Sequence, residues 1–519
     1  MKRKMFLLAL LSVFAFSFVA CNDSTEVTTA ESTTAESTVA LKDDLNIIGA
    51  LTAESLNPFA LGSSDKVVNF QIFDSLLRYG EDGVEPGLAE NWVLGDDGLT
   101  YTFTIRDGVK FHDGTDLTVD DIVFSLDVLS EVPMNSWMQT YIASWTKVDE
   151  STIQVVKASP FAKVLDILAD RLFVAPKAQA SRETVDTTEV WVFSDSFLAH
   201  PIGTGAYKFV AQSADKSVSL IKNVDYFLGE PAITNVTVFA PVDASAAVIK
   251  LETGEVDIIA GVPSSQISII TDNGDLVLAE STGWAMHTLL LMGDDLQDIE
   301  LRKAISYGVN PLNAILVANE GIGAVPTNLF STKTMGNLAG EVPVTGHDAA
   351  KAATALAAST YSSDMNLVLT VDASGAAMAQ SIQADLATLG ISIIIEQLDT
   401  NALYGKLMNG ELDMTILQMG TLMNGVEEML AFPTMPPFSF GMSPSAARIS
   451  VIQEIQIETD PATRANLCIQ ALQYAIDEFD IVPVFEPVSN IAYSTELDNV
   501  ADVWAATGIF YLGEVTIKE

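Results

Sequence analysis

Residues 88–129 read LAENWVLGDDGLTYTFTIRDGVKFHDGTDLTVDDIVFSLDVL. Side chains alternate around the turn signal Asp96-Asp97-Gly98, and a second signal, Arg106-Asp107-Gly108, follows. The pattern predicts consecutive hairpins. A helix then starts in LTVDDIVFSLDVL, with Thr118 at the N-cap position and Asp120 and Asp121 complementing the dipole of its first turn. Asp113, Asp116, Asp120 and Asp121 invite comparison with a calcium loop. The spacing is wrong for a loop with a central glycine and a terminal glutamate, so the stretch reads as a turn entering a helix.

Outward from this segment, strands and helices alternate. Upstream, LNIIGAL (45–51) reads as a strand and KVVNFQIFDSLL (66–77) as an amphipathic helix. Downstream, AYKFVAQSADKSVSLIKN is a hairpin turning at 213–216. NVTVFAP, DASAAVIKLETG and EVDIIAG then form a βαβ unit. In the second half, strands at 365–372, 391–398 and 412–419 alternate with helices at 376–390 and 401–410, which Gly390 and Gly410 close as C-caps. Apolar strands in this order imply a parallel sheet buried on both faces.

The chain has 519 residues, enough for at least two lobes, and carries 68 acidic against 26 basic residues. Such a surface repels phosphate backbones and anionic lipid, which excludes nucleic acid as a partner. Lys2-Arg3-Lys4 followed by the apolar run Met5–Ala20 reads as a secretory signal, shorter than the roughly 20 residues of a spanning helix. Removing it takes away three positive charges and moves the net charge from −42 to −45. Phe18-Val19-Ala20-Cys21 resembles a bacterial lipobox, which would lipidate Cys21, although leucine is the usual residue at the place of Phe18. The tandem TAEST repeat at 29–38 that follows is too polar to order itself and reads as a tether. The other cysteine, Cys468, lies in a helical pattern and reads as a buried small hydrophobe.

No catalytic constellation accompanies this architecture. The four histidines, His112, His200, His287 and His347, form no pair at metal-ligand spacing. The chain contains no HExxH, GxSxG or phosphate-loop motif. Gly203-Thr204-Gly205 and Gly321-Ile322-Gly323 read as turns. No cofactor is expected, and the chain reads as a binder rather than an enzyme.

The same segments, in order, resemble the family 5 extracellular solute-binding proteins, the peptide/nickel class serving ABC importers. Residues 88–129 resemble that family's signature almost throughout, and HPIGTGAYKF (200–209) resembles its P-x-G-T-G-x-Y-x-F element. IKNVDYFLGEPAITNVTV with LETGEVDI, and DIELRKAISYGVNPLNAI (298–315), are similar to further family elements, with Asn310 where an aspartate is common. LATLGISIIIEQL and NGELDMTIL resemble elements of its far lobe. The resemblance implies an α/β, two-lobed periplasmic-binding-protein-like fold (class II, cluster C) with an extra subdomain in the first lobe. Its expected division is a signal peptide at 1–20, a lipidated tether at 21–42, lobe 1 at 43–75, 198–280 and 490–519, the inserted subdomain at 76–197 and lobe 2 at 281–489. The hinge is expected near 281–292 and 487–495. The implied partners are a small-molecule or peptide ligand, an ABC permease and the outer face of the cytoplasmic membrane through the lipid. The protein is expected to be a monomer.

The resemblance places ligand contacts near Asn57, near Trp284, and at Met419, Gly420 and Thr421, with Trp137 and Trp145 able to reach the cleft from the subdomain. Many peptide-binding members carry an aspartate after the position of Met419 for the peptide's α-ammonium. Here the stretch is MGTLMNGVEEML, and the nearest acids are Glu427 and Glu428. A buried ammonium without a carboxylate is costly. Either one of these glutamates substitutes, or the ligand is not held by an N-terminus. Peptide, metal chelate (nickel type) and oligosaccharide all stay open, as does a lipid-anchored sensor without transport.

Overall fold

The computed structural model describes residues 43–49, 55–59, 66–80, 83–131, 138, 141–160, 164–185, 188–420, 425–431, 442–458, 460–505 and 511–518. Cys21, Trp137, Thr421 and the whole of 1–42 lie outside the described residues. The strands of the main sheets are, in chain order, β1 (Asp44–Ile48), β2 (Ala89–Leu94), β3 (Thr100–Ile105), β4 (Ile142–Lys147), β5 (Thr152–Lys157), β6 (Tyr207–Gln212), β7 (Val218–Lys222) and β8 (Asn235–Phe239). Then come β9 (Ile258–Ala260), β10 (Leu276–Thr282), β11 (Met286–Leu291), β12 (Leu367–Val371), β13 (Ile393–Gln397), β14 (Met414–Met419), β15 (Ile481–Phe485) and β16 (Val488–Ser494).

The first sheet has the order β6-β7-β8-β1-β9-β16-β10. The expected βαβ unit is present: β8 and β9 run parallel to β1 on its two sides, connected by the helix Ala244–Glu252. Asp243 caps that helix, and Gly254 (φ +71°) ends it. Period-two alternation sends Leu45 and Ile47 to one core and Ile48 to another, so both faces are covered.

The second sheet has the order β13-β12-β14-β11-β15. Its first three strands are parallel, and Gly390 (φ +88°) and Gly410 (φ +68°) take the left-handed conformation expected of C-cap glycines. The three strands read from sequence are thus parallel as expected, and β11, antiparallel to both β14 and β15, makes the complete sheet mixed. One expectation fails here: not every strand is buried on both faces, because β13 is an edge strand, and Ile394 on it is 51% exposed. Behind this sheet, Arg448 is fully buried at the start of the helix Ala446–Ile457. It donates through Nη1 to both oxygens of Asp480 (3.0 and 2.8 Å) and to Glu478 (3.1 Å).

The opening stretch belongs to a third sheet, β2-β3-β5-β4. The first hairpin, β2–β3, forms as read, with Gly98 at φ +67°. The second does not. After the turn at Gly108, Val109 and Phe111 are buried, and Asp113 accepts from the Thr115 N–H and hydroxyl. Too few residues remain for a ladder, so only the bridge Lys110–Asp116 forms, and β3 takes β5 as its second neighbour. The helix Val119–Glu131 has the expected start: Asp121 accepts from the Thr118 N–H and hydroxyl, and its other oxygen accepts from Lys177 N–H. The helix at 66 is shorter than read, Lys66–Ile72, and its five residues from Val68 to Ile72 are all buried, polar Asn69 and Gln71 included, rather than forming an amphipathic face. The chain leaves it at Asp74, whose carboxylate accepts from the Thr204 and Tyr226 hydroxyls (2.8 Å each), and burial raises its pKa.

His112 holds this junction together. Its Nε2–H donates to Gly205 O (3.0 Å), and its Nδ1 accepts from Gly203 N–H (3.3 Å), an arrangement open only to the neutral ring. Burial lowers its pKa to about 4. Between that value and the unfolded value of about 6.5, the unfolded chain binds the extra proton, so this contribution is complete above pH 6.5 and is lost as pH falls. Wild type is therefore expected to lose about 2 kcal/mol between pH 6.5 and 5 through this ring. Denaturant midpoints of wild type and His112→Asn across that range check it; parallel slopes would contradict it.

Candidate functional site: the cleft between the two sheets

The chain crosses between the first and second sheets twice, at Gly283–Ala285 and at Glu486–Pro487, and Gly283 N–H donates to Pro487 O (3.2 Å) where the crossings meet. Beside them lies a cleft of about 800 Å³. One wall is the loop end of the first sheet: Ile48-Gly49 after β1, Gly261-Val262 after β9, Ser281-Thr282 at the end of β10, and Asn490 on β16. The facing wall comes from the second half of the chain: Asn319 and Glu320 after the helix Pro311–Ala318, and Lys333 in the short helix Thr332–Met335. Trp284 and Trp504 line it as well.

Each wall is fixed by identifiable bonds. The Asn490 amide clamps Val262, accepting from its N–H (2.6 Å) and donating to its carbonyl (3.0 Å). Glu486 is buried and accepts from the Thr332 N–H (2.9 Å) and hydroxyl (3.1 Å), which sets the position of Lys333. Ser331 caps that helix, and the Ser331 and Thr334 hydroxyls both donate to Trp284 O at 2.8 Å. Lys333 Nζ donates to Ser281 Oγ (3.0 Å) and lies 5.9 Å from the centre of the Trp284 ring. Burial lowers the Lys333 pKa, with Glu486 pulling it back up. The indole N–H of Trp284 is buried and has no acceptor among the described residues.

Of the residues singled out from sequence, Trp284 lines the cleft. Gly420 packs behind it at φ +106°, where an added Cβ would collide with the Trp284 carbonyl oxygen. Met419 is buried opposite Met286 in the β11–β14 ladder. Asn57 closes a local turn by accepting from Phe59 N–H (3.0 Å) and is not among the described lining residues. Trp145 donates to Asp127 (2.9 Å), tying β4 to the helix Val119–Glu131. His287 packs 4.5 Å from the Phe485 ring, and burial lowers its pKa. Glu428 is buried and accepts from Gly425 N–H (2.9 Å), while Glu427 lies 3.5 Å from Arg464, and neither is among the described lining residues. Cys468 is buried as read. Lys333, Trp504 and Glu320 were missed. Lys333 and Glu320 are the one cation and the one carboxylate among the described lining residues.

A model of the middle region of the bacterial extracellular solute-binding proteins, family 5, matches residues 83–433, more than half of the chain. The chain belongs to this family. Relatives within reach include the dipeptide-binding protein of Escherichia coli (strain K12), 26% identical over 392 residues, covering 69% of this chain and 72% of that protein. The nickel-binding periplasmic protein of the same organism is 23% identical over 402 residues, covering 72% and 75%. Among solved structures, the binding protein DppA of Helicobacter pylori with the peptide STSA superposes with a TM-score of 0.73 at 22% identity, over 92% of this chain and 99% of that one. As a family 5 solute-binding protein, the chain has a two-lobed fold and a role in transport rather than catalysis.

Proposed function

We propose that the cleft captures a small peptide and that the protein is a lipid-anchored receptor handing this cargo to an ABC permease. The observation carrying the reading is the cleft itself: about 800 Å³, a size suited to a small solute, with apolar walls and two tryptophans. Similarity to a dipeptide-binding protein favours peptides. A nickel chelate has less support: none of the described lining residues is a histidine, and no metal-holding group of His, Cys, Asp or Glu occurs among the described residues.

The division into lobes at 43–75, 198–280 and 490–519 against 281–489, with a subdomain at 76–197, is supported by the strands each sheet draws on. A ligand touching both walls favours the closed arrangement in proportion to its differential affinity. Anchorage through Cys21, the tether at 21–42 and a monomeric state complete the proposal. Its support is the basic and apolar leader and the lipobox resemblance, together with the finding that no described helix is long and apolar enough to cross a membrane.

Mass spectrometry of solutes co-purifying with the protein, followed by thermal shifts against di- and tripeptides, oligosaccharides and nickel chelates, tests the reading. A sugar that raises the melting point where every peptide leaves it unchanged would replace it. Trp284→Ala is expected to weaken ligand binding about 30-fold, about 2 kcal/mol, and to lower ligand-free stability by less. The reverse ordering, read by calorimetry and denaturation, would make Trp284 a packing residue.

A further inference from the structure

Resting on the reading of this cleft as the ligand site, we infer that the segment Tyr511–Ile517 is a strap that holds Trp504 in the cleft wall, with Arg78 and Asn499 as its two fastenings. Trp504 lies in the helix Val500–Ala505, one turn after Val500. Both side chains are buried in the core that takes Leu45 and Ile47 of β1, and Trp504 also lines the cleft. A helix of six residues makes too few internal bonds to hold its own direction, so the place of this ring is set from outside the helix. The strap supplies that support at the helix start. Leu497 and Asp498 pair antiparallel with Ile517 and Thr516, and Lys518 N–H donates to Glu496 O (2.8 Å). Asn499, at φ +63°, donates through its side-chain amide to Glu514 O (3.3 Å).

The strap is itself fastened to the beginning of the chain. The Tyr511 hydroxyl accepts from Tyr79 N–H (3.2 Å), and Leu512 N–H donates to the side-chain oxygen of Gln71 (3.0 Å). Leu512 and Val515 are fully buried. Arg78 lies 4.3 Å from the centre of the Tyr511 ring and pairs with the Glu514 carboxylate. Gly513 is pressed so close to β6 that an added Cβ would stand 2.8 Å from the Ala206 Cβ. Glu514 therefore carries both fastenings, with its carboxylate on Arg78 and its carbonyl on Asn499. Neither Glu514 nor Asn499 is among the described lining residues, so both are positioning residues that reach the cargo through Trp504.

The test labels the purified protein with 5-fluorotryptophan and follows its six tryptophans by fluorine NMR, each assigned by its own Trp→Phe variant. Asn499→Gly removes the amide and leaves a residue at ease in the left-handed conformation. It is expected to move the Trp504 resonance by more than its linewidth and to leave those of Trp92, Trp145 and Trp191 in place. Glu514→Ala should move Trp504 as well, and Glu514→Gln, which keeps an acceptor for Arg78, should return it most of the way to the wild-type position. A Trp504 resonance that stays put in an Asn499→Gly variant folded by circular dichroism overturns the strap, whatever happens to the melting temperature. So does a shift shared by all six tryptophans, which would report a general loosening. Calorimetry with Ala-Leu reads the consequence for cargo: Asn499→Gly is expected to weaken binding several-fold, and unchanged affinity overturns the positioning role. If Ala-Leu and other dipeptides do not bind wild type, the peptide reading falls, and the ligand-free resonances still decide the strap.

Discussion

Gly203→Ala is expected to destabilise the protein by about 3 kcal/mol or more, the upper range for overpacking a rigid site. Gly203 lies against the last turn of the helix Lys66–Ile72. An added Cβ would collide with the Ile72 carbonyl oxygen and stand 2.7 Å from its carbon and 2.8 Å from the Phe73 ring. Most of these are main-chain atoms in a buried segment, so nothing can swing aside. Gly205 meets the same wall, with Ile72 C at 2.6 Å from its would-be Cβ. Backbone strain is not the cause, because neither glycine has positive φ. The requirement is close approach, which lets Gly205 N–H donate to Ile72 O (2.9 Å) and places the Gly205 carbonyl that accepts from His112. Denaturant midpoints and calorimetry of Gly203→Ala check this. A loss under about 1 kcal/mol would show that the helix end yields.

Arg448→Met is expected to cost about 3–5 kcal/mol, because it leaves Asp480 buried without its cation. Burial already raises the Asp480 pKa against the pull of Arg448. In the variant the folded state therefore holds this proton more tightly than the unfolded chain. Stability relative to wild type should recover as pH falls from neutral toward the ordinary aspartate value of about 4. Adding Asp480→Asn should restore much of the loss at neutral pH, since an amide needs no counter-charge. If the double variant were no better than the single one, the cost would come from the lost volume of the arginine rather than from the uncompensated carboxylate.

Local patterns were legible in the sequence where local physics decides the outcome. The hairpin at Gly98, the capped start at Thr118 and the helix ends at Gly390 and Gly410 all follow from turn chemistry within a few residues. What local pattern misses is pairing at a distance. Nothing in MHTLLL (286–291) tells that it runs antiparallel between β14 and β15, and nothing in the 66–77 segment tells that Asn69 and Gln71 are buried along with their apolar neighbours. The site divides the same way. Trp284 was expected at the cleft only through the family resemblance, and it stands at a crossing between sheets. Lys333 acquires its place from Glu486, 154 residues away from the Thr332 it holds, which no periodicity reports. Of the two glutamates offered in place of the missing aspartate, Glu428 accepts from the Gly425 N–H at its own helix start.

The order of strands in the two sheets also sets a timetable for chain assembly. Every strand of the second sheet lies between Met286 and Phe485, so that sheet can close while the last residues are still being added. The first cannot: β16, the last of its strands to be made, separates β9 from β10 and pairs with both. Until Ser494 is available, β10 has no neighbour in its sheet, and one side of β9 stays open as an edge able to recruit foreign strands. Contacts this distant in sequence are slow to form. As the chain emerges amino end first, the half that begins it is therefore the half that finishes folding last.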